Sequence, residues 1–314
     1  MSSILQASHL VKKFADFVAV NDVSFEIEEG EIFSLLGPNG AGKTTSISML
    51  STLIAPSSGD ALVGGHSVTR EPMAVRQLIG VVPQDLALYE DLSARENLNF
   101  WGQMYGLSGK ELHQRVDEVL EQIGMTEKAS QRVKTYSGGM KRRVNIGVGL
   151  LHHPRLLFMD EPTVGIDPQS RRAILDSVKA LNQSGMTVLY TTHYMEEAQE
   201  LSDRVGIIDH GQLIALGTQA ELTRQVGETD TLILHVGEEE SLEGLAAELR
   251  VLPGVVKADR TDHMIAIITP SAEEILAPVI TKANEAGVKI RSVDIQEPNL
   301  ESVFLNLTGR ALRD

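Results

Sequence analysis

The sequence predicts an α/β fold followed by a smaller α+β module, and three observations carry that prediction. Leu156-Leu157-Phe158-Met159 and Val188-Leu189-Tyr190 are unbroken apolar runs, the pattern of parallel strands buried on both faces. Around residues 90–150 the periodicity turns helical, so strands and helices mix in one core. After about Gly217 the succession of elements becomes β-α-β-β-α-β, which suits a ferredoxin-like unit.

The elements follow in order. Strand-like runs cover residues 4–10, 18–20 and 23–27, and Glu28-Glu29-Gly30 makes a turn. Residues 31–36 form a short buried strand that feeds Gly37-Pro38-Asn39-Gly40-Ala41-Gly42-Lys43-Thr44, which reads G-x-x-x-x-G-K-T. Behind it a helix from 44 to 54 places Ile47, Leu50, Leu53 and Ile54 on one face. A glycine-rich turn between strand and helix lets successive N–H groups surround a phosphate, and the helix N-terminus adds its dipole and free donors. Lys43 is placed to reach the β- and γ-phosphates of a nucleoside triphosphate and the Thr44 hydroxyl to hold Mg²⁺. Gln84 follows a further apolar strand, Val81-Val82-Pro83, and alone reads as a surface glutamine.

Ser108-Gly109-Lys110-Glu111 fits a capping box. Leu112, Val116, Val119, Leu120 and Ile123 then form a helical stripe that Gly124 ends. Tyr136-Ser137-Gly138-Gly139-Met140 opens a helix over about 141–153 that stops at Pro154; Ser137 is its N-cap, and the glycines expose N–H groups. This is a second anion-binding helix end in one chain, and one nucleotide can use both only across an interface. Asp160 and Glu161 close a buried strand, where the first acid can hold Mg²⁺ and the second can polarise an attacking water. Val205-Gly206-Ile207-Ile208 and Gln212-Leu213-Ile214-Ala215-Leu216 flank a hairpin turn at Asp209-His210-Gly211. In the module, strands are expected at 230–236, 254–259, 264–269 and 288–295, and helices at 241–250 and 271–286. The module has no catalytic cluster, since His263 and Asp262 stand without partners, so a packing or dimer-contact role is expected for it over that of a ligand-binding regulator. Leu300, Val303, Phe304 and Leu307 stripe a final amphipathic helix.

Composition bounds the function. Forty-two per cent hydrophobic content supports a packed core, and the absence of cysteine excludes disulfides, thiolate metal sites and a cysteine nucleophile. A net charge of −15 argues against a nucleic-acid partner. The densest basic cluster, Lys141-Arg142-Arg143, reads as a solvated helix face. The start lacks a basic n-region and a long apolar segment, and no stretch reaches about 18 apolar residues, so no membrane span is expected.

Taken in order, Gly37 to Thr45, Gln84, Ser137-Gly138-Gly139, Asp160-Glu161, Gly165-Ile166-Asp167 and His193 make the chain resemble the ATP-binding-cassette (ABC) ATPases over about residues 1–220. The resemblance implies a P-loop core with an antiparallel β subdomain and a helical subdomain at about 85–150. A linker at 221–229, an accessory domain at 230–297 and a tail helix at 298–314 complete the expected organisation. It also implies that two copies sandwich ATP head to tail. Phe14 would stack on adenine. Gly37, Pro38, Asn39, Gly40, Ala41, Gly42, Lys43, Thr44 and Thr45 would bind phosphates, with Thr44, Gln84 and Asp160 at Mg²⁺. Glu161 would be the general base, His193 would contact the γ-phosphate, and Gln84 would couple metal to partner. Ser137, Gly138 and Gly139 would act in trans, with Asp167 crossing the dimer interface. Tyr136 and Met140 replace the usual leucine and glutamine around Ser-Gly-Gly, Ile166 replaces a leucine, and Phe14 stands where tyrosine is common.

Tyr89-Glu90-Asp91-Leu92-Ser93-Ala94-Arg95-Glu96-Asn97-Leu98 and the ending around Leu300-Glu301-Ser302-Val303-Phe304 are similar to ATPase subunits of daunorubicin-type, ABC-2 exporters. The expected role is a cytoplasmic ATPase, peripheral on the membrane through an integral-membrane permease that docks near Gln84 and residues 85–106. The alternative is a soluble ATPase acting on ribosomes or DNA. Translation-factor relatives usually carry two cassettes, and DNA-repair relatives insert a long coiled coil that the short interval between Lys43 and Asp160 leaves no room for.

Overall fold

A computed structural model describes residues 2–225, 230–236, 242–261, 263–296 and 299–308. Asp262, residues 226–229 of the expected linker and the tail from Gly309 onward lie outside the described residues. The chain divides into two compact units, the first running through Thr218 and the second beginning at Gln219.

In the first unit, β1 (Ser3–Phe14) and β2 (Phe17–Glu28) form a long hairpin, followed by β3 (Ile32–Leu36) and α1 (Lys43–Leu50). Then come β4 (Ser58–Val63), β5 (His66–Ser67), α2 (Pro72–Leu78) and β6 (Ile79–Val82). The helical part is α3 (Ala94–Met104), α4 (Gly109–Gln122) and α5 (Gly138–Leu150). The chain returns to the sheet through β7 (Leu156–Asp160), α6 (Pro168–Gln183), β8 (Thr187–Thr192), α7 (Met195–Leu201), β9 (Arg204–Asp209) and β10 (Gln212–Gly217).

A six-stranded sheet in the order β10-β9-β3-β8-β7-β6 carries the core, and a four-stranded sheet in the order β2-β1-β4-β5 accompanies it. β3, β9, β8, β7 and β6 pair in parallel, while β10 closes one edge antiparallel to β9. Every residue of β3, β7 and β8 is buried, as their unbroken apolar runs require. Alternation splits these strands between two cores. Leu157, Met159, Val188 and Tyr190 pack with the helical part, and Leu156, Phe158 and Leu189 pack with α1 and the antiparallel sheet. The five parallel strands end on one side, so the loops after β3, β7 and β8 converge there.

Several local expectations change. α1 stops at Leu50, because Thr52 takes φ 63 and turns the chain, which leaves Leu53 76% exposed. The capping box lies not at Ser108 but at Ser93, whose hydroxyl accepts from the Glu96 amide while the Glu96 carboxylate accepts from the Ser93 amide at 2.8 Å. At α4, Gly109 sits at φ 57 and swings the first turn away, so the Ser108 side chain makes no cap hydrogen bond. The end of α4 follows expectation. The Met125 amide donates to the Leu120 carbonyl and the Gly124 amide to that of Glu121, with Gly124 at φ 62.

The second unit opens with α8 (Gln219–Gln225), so residues 221–225, expected as linker, are helical. Leu222 drives this: it is fully buried, and α8 packs on α11 (Leu300–Thr308). Between them lie β11 (Asp230–Val236), α9 (Leu242–Arg250), β12 (Lys257–Thr261), β13 (Met264–Thr269), α10 (Ala272–Glu285) and β14 (Ile290–Gln296). The sheet order is β12-β13-β11-β14 with antiparallel pairing throughout, the ferredoxin-like arrangement the element succession predicts. In α11, Leu300, Val303 and Phe304 are buried, but Leu307 is 43% exposed.

Candidate active site

The loop after β3 wraps the start of α1. Gly42 caps that helix at φ 107, and a Cβ there would stand 2.6 Å from the Ala19 carbonyl oxygen, so only glycine fits. Lys43 is buried, and its Nζ donates to the carbonyls of Gly37 at 2.6 Å and Pro38 at 2.9 Å. Its counter-charge is Glu161, whose Oε1 lies 2.9 Å away.

Glu161 adopts φ 44, an uncommon left-handed conformation for a residue with a side chain, costing about 1–3 kcal/mol. The backbone is held there by hydrogen bonds from the Glu161 amide to the Thr191 carbonyl and hydroxyl oxygens. The kink turns the carboxylate off the line of β7, between Lys43 and His193, whose Nδ1 lies 3.4 Å from Oε2. One residue earlier, Asp160 Oδ1 accepts from the Thr191 hydroxyl at 2.7 Å. Burial pushes the Asp160 carboxyl above its ordinary range; hydrogen bonds from Thr191 and Thr44 oppose that, and the neighbouring Glu161 charge reinforces it.

A cleft of about 420 Å³ is lined by Asn39, Gly40, Gly42, Lys43, Thr44, Thr45, Gln84, Glu161 and His193, together with Phe17, Ala19 and Val164. Nine residues expected from the sequence thus share one wall. Gly37 and Pro38 contribute the carbonyls that hold Lys43, and Ala41 accepts the Gly211 amide through its own carbonyl. The aromatic on the cleft is Phe17, 63% exposed, whereas Phe14 lies across the same β1–β2 turn with the Lys12 ammonium over its ring. The sequence signal for Phe17 was only an aromatic at a turn.

Ser137, Gly138, Gly139 and Asp167 do not line this cleft. Ser137 caps α5, its hydroxyl accepting from the Met140 amide at 3.3 Å, and both it and Gly138 are exposed. Gly139 is buried for a packing reason: a Cβ there would come within 2.3 Å of Ser170 Cβ on α6. Asp167 caps α6 by accepting from the Ser170 amide at 2.9 Å, and that bond holds its carboxyl below the ordinary range.

Two charged residues escaped the sequence reading. Glu197 on α7 is buried and accepts from Thr163 at 2.6 Å, Tyr190 at 2.9 Å and Thr192 at 2.8 Å. It ties the loop after Glu161 to the strand end that carries His193. Arg142, expected on a solvated face, is buried with its guanidinium on the carbonyls of Pro83 and Gln84. Neither had a sequence signal, because both roles arise between segments distant along the chain.

A family model described as ABC transporter matches residues 20–164. The linearmycin resistance ATP-binding protein of Bacillus subtilis (strain 168) is 48% identical over 313 residues, covering 99% of this chain and 100% of that protein. The chain belongs to the ABC transporter family. The doxorubicin resistance ATP-binding protein of Mycobacterium tuberculosis (strain CDC 1551 / Oshkosh) is 40% identical, covering 93% of this chain and 88% of that protein. Among solved structures, a dimeric ATP-binding cassette in a post-hydrolysis state bound to ADP and Pi is 26% identical, with a TM-score of 0.61 over 68% of this chain and 98% of that one. As an ABC ATP-binding subunit the chain binds nucleotide and is an ATPase whose hydrolysis is coupled to transport. In an ABC ATPase the Lys43, Asp160, Glu161 and His193 cluster can attract a triphosphate, accept a proton from water and meet the charge that develops on the γ-phosphoryl group.

Proposed function

We propose that this ABC ATPase powers efflux of a drug-like or other hydrophobic substrate through a separate integral-membrane permease, at the cytoplasmic face of the membrane. The resistance roles of its relatives support that reading. Among the described residues no helix is long and apolar enough to cross a membrane, and in this reading the substrate path belongs to the permease.

The observation that carries the mechanism is the pairing of Lys43 with Glu161 and His193 beside Asp160. Lys43 exchanges the Glu161 carboxylate for the β- and γ-phosphates of ATP. Glu161, released and already aimed by its strained backbone, takes the proton of the attacking water, and His193 holds the γ-phosphate. An aromatic of the β1–β2 turn stacks on adenine: Phe17 by its place on the cleft, or Phe14 by the family pattern. Mg²⁺ suits the donor set. Asp160 is a buried carboxylate that accepts hydrogen bonds from Thr191 and Thr44, and Thr44 lines the cleft together with Gln84. Among the described residues no cluster of three or more acidic or histidine ligands is present, so a metal here relies on Thr44, Asp160, Gln84 and the phosphates. Held there, Mg²⁺ would neutralise charge on the triphosphate.

Two copies sandwich two ATP molecules. Ser137, Gly138 and Gly139 meet the partner's γ-phosphate, and Asp167 crosses the interface; the exposure of Ser137, Gly138 and Asp167 away from their own cleft supports this arrangement. Glu161→Gln is expected to keep ATP affinity and lower steady-state turnover by about 10²-fold or more. Near wild-type turnover would remove Glu161 as the base. In the Glu161→Gln background, ATP should produce a dimer by size-exclusion chromatography, and adding Ser137→Arg should abolish it. A persistent dimer would refute the role of Ser137 in trans.

A further inference from the structure

Gln84 and Ser137 serve different nucleotides in the proposed dimer, yet one side chain joins them. Arg142 lies in the second turn of α5, just behind the Ser137 cap. It is 4% exposed; Nη1 donates to the Pro83 carbonyl at 2.8 Å and Nη2 to the Gln84 carbonyl at 2.6 Å. Asn145, one turn further along, donates to the Pro83 carbonyl at 3.4 Å and accepts from the Ala87 amide at 3.2 Å. The planar guanidinium therefore grips two successive carbonyls and fixes the peptide from which the Gln84 side chain leaves for the cleft.

This contact is costly as mere packing. A guanidinium taken out of water loses hydration that two carbonyl oxygens only partly replace, and Arg142 Nε has no hydrogen-bond partner among the described residues. A neutral amide already secures the same loop through Asn145. What the arginine adds is stiffness between the start of α5 and Gln84.

We infer that Arg142 is a positioning residue that makes the placement of Gln84 depend on where the Ser137 end of α5 sits. The inference rests on the proposed trans role of Ser137 and cis role of Gln84. When ATP of the partner draws Ser137 in, α5 carries the Pro83–Gln84 peptide with it, and the Gln84 amide comes into register with its own nucleotide. Each cleft then becomes competent only after the same subunit has engaged the other nucleotide.

The test compares Arg142→Met, Arg142→Lys, Gln84→Ala and the Arg142→Met/Gln84→Ala double variant in full-length protein, with rates measured against ATP and against Mg²⁺. Arg142→Met is expected to lower kcat about tenfold and raise the half-saturating Mg²⁺ several-fold, with KM for ATP within about twofold. The double variant should be no slower than Gln84→Ala alone, since Arg142 acts only through that residue. Multiplying losses, or wild-type kcat and Mg²⁺ dependence in Arg142→Met, would overturn the inference. If Arg142→Met melts early, Arg142→Lys decides: it keeps the charge but not the two-carbonyl grip, and wild-type rates would sink the idea. ATP-driven dimerisation of Glu161→Gln, measured in parallel, isolates the underlying reading. Its absence would reject the dimer, whereas a dimer with unaffected Arg142 variants would reject the positioning role alone.

Discussion

At the scale of single residues, the site holds a charge at the expense of stability. Asp160 is buried, and burial raises its carboxyl pKa in the folded protein above the unfolded value. The folded state therefore binds the Asp160 proton more tightly than the unfolded one. That contribution is full at low pH and is lost as pH rises through the raised pKa, so the ionised form costs stability at neutral pH. Asp160→Asn keeps an acceptor for the Thr191 hydroxyl and removes the charge. It should raise stability at pH 7 by about 1 kcal/mol, a gain of about 2–4 °C in Tm, while ATPase activity collapses. In thermal scans without nucleotide the gain should shrink on acidification; a Tm gain independent of pH would refute the electrostatic account. Gly139 is the opposite case, chosen by space rather than charge. Gly139→Ala puts a methyl 2.3 Å from Ser170 Cβ, so a loss of about 1–3 kcal/mol is expected, and Ser170→Gly in the same chain should restore much of it. A melting temperature unchanged by Gly139→Ala would refute the tight α5–α6 contact.

At the scale of elements, two Ser-x-x-Glu segments read alike, yet only one caps a helix. Ser93 closes a reciprocal pair with Glu96, whereas Gly109 at φ 57 carries the backbone away from Ser108. Ser93→Ala should therefore cost about 1 kcal/mol in urea unfolding and Ser108→Ala only a few tenths. Equal losses would contradict the cap assignment. The same contrast explains what the sequence could reveal. Strands β3, β7 and β8, the hairpin of β9 and β10, and the β-α-β-β-α-β unit were legible because burial on two faces and turn chemistry leave local marks. The end of α1 and the helical residues 221–225 were not: a left-handed Thr52 has no compositional signature, and α8 depends on Leu222 meeting α11 far along the chain.

At the scale of the whole molecule, the chemistry is legible wherever one segment carries both donor and geometry. Lys43 and Thr44 arrive with their loop, and Asp160 and Glu161 arrive with the end of β7, so the cleft was readable before the fold. Glu197 and Arg142 were not, because each acquires meaning only from strands, loops and helices brought together by the sheet. Glu197 fastens the loop after Glu161 to the end of β8, and Arg142 fastens α5 to the loop after β6, which leads into the surface beyond Gln84. That surface carries exposed Leu86, Tyr89, Met104 and Tyr105. We propose that this stretch docks the permease that the exporter reading requires. Pull-down of the tagged chain from detergent-solubilised membranes of its own host should recover an integral-membrane protein with several apolar spans. Tyr89→Glu together with Met104→Glu should abolish that recovery and leave basal ATPase activity within about twofold, since neither residue lines the cleft. Recovery of ribosomes or DNA-bound complexes in place of a membrane protein would overturn the exporter reading and leave the ATPase standing. Undiminished recovery with the double variant would instead move the docking surface elsewhere on the chain.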